Sequence, residues 1–103
     1  MKEYPIEVER PFDVRQVELA IEKCARDLGL IETMRGTLAK YPGCVHWHFR
    51  KPLVKGTLEV TSWPSNNRLW ISVQQGRRAK WLEEAVPSMQ RGLQNALKGV
   101  RRS

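Results

Sequence analysis

Residues 44–50 read Cys44-Val45-His46-Trp47-His48-Phe49-Arg50, and the strict alternation of bulky apolar with polar side chains in this stretch decides the fold. A period of two is the signature of a half-buried strand, because successive side chains on an extended backbone leave by opposite faces. Val45, Trp47 and Phe49 therefore face a core, while Cys44, His46, His48 and Arg50 face away from it. The same alternation returns twice downstream. In Thr57-Leu58-Glu59-Val60-Thr61-Ser62-Trp63, Leu58 and Val60 point inward and Thr57, Glu59, Thr61 and Trp63 point outward. In Arg68-Leu69-Trp70-Ile71-Ser72-Val73-Gln74, Leu69, Ile71 and Val73 point inward and Arg68, Trp70, Ser72 and Gln74 outward.

Turn chemistry separates these runs: Tyr41-Pro42-Gly43, then Lys51-Pro52 with Gly56, then Pro64-Ser65-Asn66-Asn67. Strands are expected over residues 33–41, 44–50, 56–63 and 68–75. Connections this short favour an antiparallel meander, since a parallel crossover needs a dozen residues or more. In the first of these strands Met34 and Leu38 argue for one phase and Ala39 and Tyr41 for the other; the reading taken places Arg35 and Thr37 outward. Further upstream, Tyr4, Ile6 and Val8 alternate with Glu3, Glu7 and Glu9, and Pro5 confines that strand to an edge.

Two segments switch to helical spacing. Asp13 is the N-cap of a helix over residues 14–28, with Gln16 completing a capping box and Phe12 stapled onto Val17. Val17, Ile21, Cys24 and Leu28 fall on one stripe of it, and Gly29 supplies a left-handed stop. Trp81, Leu82, Ala85, Val86, Met89, Leu93, Ala96, Leu97 and Val100 mark the second helix. Pro87 lies inside that pattern and predicts a kink, or a short helix followed by a longer one, because it lacks a backbone donor and clashes with the preceding turn. The reading is one α+β domain over residues 1–103, in the order β-α-β-β-β-β-α. A four- to five-stranded antiparallel meander carries two helices on one face.

The chain has 18 Lys and Arg against 11 Asp and Glu, a net charge of +7. The excess is uneven: residues 1–32 hold five basic and eight acidic side chains, residues 33–103 thirteen and three. Such polarity suits a polyanion, or the meeting of unlike halves of two copies. No apolar run approaches the length of a membrane span and the first residues lack the apolar core of a signal peptide, so a cytoplasmic address and no membrane are expected. Two cysteines are too few for a disulfide scaffold and are read as free thiols, Cys24 in the core and Cys44 on the far sheet face.

Function is sought on the helix-free face. Trp63 and Trp70, with Arg50, Arg68, His46 and His48, are the expected interface or ligand-binding residues. The first expectation is a noncatalytic interaction module that self-associates as a homodimer through this face, because an open sheet bearing Trp can be covered by a second copy. The alternative is binding of single-stranded nucleic acid or RNA, with indole rings stacking on bases and arginines meeting phosphates. A second alternative is a small thiol- or metal-dependent enzyme. Cys44, His46 and His48 share a face and suit zinc, with Glu59 as the nearby carboxylate. Residues two apart on one strand stand roughly 6–7 Å apart, however, awkward for three ligands of one ion without help from another strand, so the reading taken is solvated or hydrogen-bonded histidines and a small thiol, with no metal and no cofactor. Gly76, Arg77, Arg78 and Lys80 lead into the second helix and form a candidate anion site, set against a solvated charge run in which Lys80 pairs with Glu84. No phosphate loop, dinucleotide fingerprint, nucleophile elbow or zinc-protease helix occurs, so no catalytic residue is assigned.

Overall fold

The computed structural model describes residues 2–9, 12–74 and 79–100. Strand β1 (Lys2–Ile6) precedes helix α1 (Val14–Asp27); β2 (Ile31–Gly36), β3 (Val45–Arg50), β4 (Leu58–Trp63) and β5 (Arg68–Val73) follow, and helix α2 (Lys80–Val100) closes the order. The strands form one antiparallel sheet ordered β1-β5-β4-β3-β2. The expected α+β meander is therefore present as five strands, with β1 completing the sheet beside β5. Pro5 lies on that edge, where a missing donor is tolerated.

Both helices bury their stripes on one face. Val17, Ile21 and Ala25 of α1 join Leu82, Ala85, Val86, Met89, Leu93 and Leu97 of α2 over Trp47, Phe49, Leu58, Val60, Leu69 and Ile71. The α1 signals act as read: the Asp13 carboxylate accepts from Gln16 N at 3.0 Å, and Gly29 takes φ +72° past the last turn. α2 runs as a single helix through Pro87 rather than as two pieces. The cost of an internal proline, about 3 kcal/mol, is offset by the buried stripe on both sides of it.

The first meander strand departs from expectation. It spans Ile31–Gly36 rather than 33–41, and its register slips between Glu32 and Met34, leaving Thr33 as a bulge. The extra residue turns Met34 to the face of His48 and Arg35 to the face of Trp47. Arg35 is thus on the helix side, not outward: its guanidinium bonds Glu18 at 3.0 Å and Glu22 at 3.2 Å on α1, and lies 5.2 Å from the Trp47 ring centroid. The other three meander strands keep the expected phase.

Candidate metal centre

Antiparallel register places the helix-free face in cross-strand rows. His46 of β3 is paired with Thr61 of β4, which is paired with Trp70 of β5; the next row is His48, Glu59 and Ser72. Alternation sends all six side chains away from the helices, yet this face is far from bare. His46, Glu59, Thr61, Trp70 and Ser72 are all buried.

At one end of the face the cover is aromatic. Residues 37–44, expected to end a strand and begin a turn, form a loop that folds over the sheet. It is closed by Tyr41 N bonding Leu38 O and Cys44 N bonding Tyr41 O, both at 3.0 Å. Tyr41 meets Trp70 edge-on with centroids 5.0 Å apart and Trp63 at 4.8 Å, and Trp63 Nε1 donates to the Pro42 carbonyl at 2.9 Å. The Arg68 guanidinium lies 4.5 Å from the Trp70 centroid. Trp70 is left 3% exposed and Trp63 half-buried. Both rings avoid the helices, as their phase required, but Trp70 has its stacking partners within the chain.

At the other end the donor atoms of three side chains converge. His46 Nε2 lies 3.1 Å from His48 Nε2 and 3.1 Å from Glu59 Oε1, and His48 Nε2 lies 3.6 Å from the same oxygen. Donors held about 2.0–2.1 Å from one tetrahedral ion stand roughly 3.3 Å from each other, so the triangle has the size of one face of such a site. The objection from strand spacing is met by two features. The imidazoles lean together, their rings 5.0 Å apart and nearly perpendicular, and Glu59 reaches across from the paired strand.

The same contacts include the expected hydrogen bonds of the histidines, His46 to Thr61 at 2.7 Å and His48 to His46 at 3.1 Å. With both imidazoles neutral, no choice of tautomers puts a hydrogen bond along all three sides of the triangle: one side is left with two lone pairs or two N–H groups facing each other. Burial pushes the His46 pKa down, against the opposing pull of Glu59, and so favours the neutral ring that ligates a metal. Glu59, 7% exposed, has no Lys or Arg partner among the described residues. A buried carboxylate is costly without a cationic or donor partner, and a divalent cation at the centre would satisfy all three donors. Outside this first ring of donors, Thr61 Oγ1 lies 2.7 Å from His46 Nδ1. With Nε2 as ligand, Nδ1 carries the proton and donates to that hydroxyl, which fixes the ring's tautomer and tilt.

Cys44 takes no part in the triangle. It is buried, and its Sγ accepts from Leu38 N at 3.3 Å in the loop. Arg50 is exposed at the end of β3, on the His48 side, and Arg68 is exposed beside Trp70. The anion-site residues Gly76, Arg77 and Arg78 lie outside the described residues, and Lys80 is exposed at the start of α2. Thr61 and Tyr41 were the residues missed by sequence reasoning. Alternation put Thr61 on the correct face, but its row was not legible, because the seven residues between β3 and β4 leave the hairpin register open.

No family model, curated protein or solved structure matches this chain.

Proposed function

We propose that the domain binds a divalent transition metal through His46 Nε2, His48 Nε2 and Glu59 Oε1. The observation that carries this reading is the convergence of three donor atoms from two paired strands, all within 4.8 Å of one another. Two imidazoles and one carboxylate form a borderline donor set suited to zinc or iron(II), and three protein ligands leave coordination positions free for water or a bound molecule. Two free thiols, Cys24 and Cys44, are consistent with a reducing cytoplasm. Cobalt titration followed by visible absorption tests the reading. Wild type is expected to develop intense d–d bands at one equivalent, and a His46→Ala/His48→Ala variant none. Equal weak uptake by both proteins would refute it.

A second reading, self-association, is favoured by a different surface from the two tryptophans. Ile31, Met34, Leu53 and Val54 are exposed on and beside the edge strand β2, and Ile31, Leu53 and Val54 line one shallow cleft. A second copy would cover this patch and the unpaired edge together. Light scattering should then report a dimer for wild type and a monomer for Leu53→Glu; a monomeric wild type removes the proposal. Nucleic-acid contact is supported by the charge of +7 and by the exposed Arg68. Phosphate-driven binding should weaken steeply with salt, and salt-independent binding would exclude it.

A further inference from the structure

A cavity of about 710 Å³ borders the three donors on the side of His48 and Glu59, which both line it. Its size falls within the roughly 300–1,000 Å³ that small-molecule sites occupy. Arg50, Lys55, Thr57 and Gln74 supply polar lining, and Ala79 and Leu82 from the start of α2 supply an apolar wall. The charges are one-sided. Glu59 is the single carboxylate among the described residues of the lining, and it is a proposed metal ligand. Arg50 and Lys55 make no ion pair among the described residues. Once Glu59 is neutralised by a divalent ion, the ion and the described side chains together present positive charge to the cavity.

The segment that carries Lys55 is held in place. Trp81 Nε1 donates to the Lys55 carbonyl at 2.7 Å, which ties the loop to the start of α2. Gly56 has φ +112°, and a Cβ there would stand 3.0 Å from Ala79 Cβ and 3.1 Å from Trp81 Nε1. The backbone therefore packs closely against the helix in a left-handed conformation that favours glycine, which holds the base of the Lys55 side chain at the cavity.

We infer that this cavity binds a small oxyanion-bearing molecule, its carboxylate or phosphate group shared between the metal ion and the side chains of Arg50 and Lys55. The inference rests on the metal reading. Arg50 offers a forked donor that matches either group, and Lys55 adds a point charge. Thr57 and Gln74 remain for neutral polar atoms of the ligand, and Leu82 with Ala79 for an apolar end.

The test uses the full chain loaded with cobalt and titrated separately with inorganic phosphate and with oxalate, followed by visible absorption and calorimetry. At least one anion is expected to bind and to shift the cobalt bands. An Arg50→Gln/Lys55→Gln variant is expected to take up cobalt as wild type does and to bind that anion about tenfold more weakly or worse. Response to phosphate alone or to oxalate alone names the group; response to both supports the shared chemistry. Cobalt bands that neither anion moves, or equal anion affinity in the variant, would overturn the inference and leave the metal reading standing. Failure to take up cobalt at all would overturn both.

Discussion

At one end of the helix-free face, Trp63 and Trp70 are covered by Tyr41 and Pro42 of the same chain; at the other, His46, His48 and Glu59 aim their donor atoms at one point beside an open cavity. The two ends share strand β4, and His46 of one stands in the same cross-strand row as Trp70 of the other. Their difference lies in whether the chain provides the missing partner. An indole needs apolar area and one hydrogen-bond acceptor, and an eight-residue loop over residues 37–44 provides both. The buried Glu59 carboxylate beside two imidazoles has no Lys or Arg partner among the described residues, and the proposed metal ion would fill that place.

If this contrast is correct, removing ligands should have the largest effect and should act on metal alone. The His46→Ala/His48→Ala and Glu59→Gln variants should each lose at least about a hundredfold in metal affinity, beyond the 10–100-fold typical of outer-shell changes. The same metal should stabilise wild type by about 2.7 kcal/mol at a hundred times its Kd, seen as a raised thermal midpoint that the variants lack. A variant that kept both affinity and stabilisation would place the ion elsewhere.

Next in size is Tyr41→Ala, which uncovers the aromatic end. It should cost about 1–3 kcal/mol of stability in denaturant titrations and make Trp fluorescence more accessible to iodide, with metal affinity changed by less than about threefold. Parallel loss of metal binding would show that the two ends are one unit. Thr61→Val keeps the volume and removes the hydroxyl beside His46 Nδ1. It should weaken metal binding about tenfold in a chelator competition while the fold holds. An unchanged affinity would deny Thr61 its orienting role. Trp63→Phe should have the smallest effect, about 1 kcal/mol for the lost bond to the Pro42 carbonyl, and none on metal.

The same contrast separates what was legible in the sequence from what was not. Alternation in residues 44–50, 57–63 and 68–74 was enough to sort side chains onto two faces, and His46, His48, Glu59, Trp63 and Trp70 all stand on the face it assigned. The helix ends at Asp13 and Gly29 were legible for a local reason: each signal acts within four residues of itself. Failures came where a position depends on distant chain. The bulge at Thr33 reverses the phase of β2 and carries Arg35 to its partners on α1, a choice made by Glu18 and Glu22 from across the fold. Trp63 and Trp70 stand on the side their alternation assigned, but alternation says nothing about the Tyr41 loop that folds back over them. The spacing of the histidines read as permissible but awkward for one ion without help from another strand, because strand rise measures Cα separation, whereas imidazoles of ordinary length can lean across that gap.

Zinc-edge anomalous diffraction from crystals of the wild-type chain grown with stoichiometric zinc tests the central claim most directly. One strong peak is expected about 2.0–2.2 Å from each of His46 Nε2, His48 Nε2 and Glu59 Oε1. A map with no density between those three atoms, or with its zinc bound at Cys24 or Cys44 instead, would contradict the account.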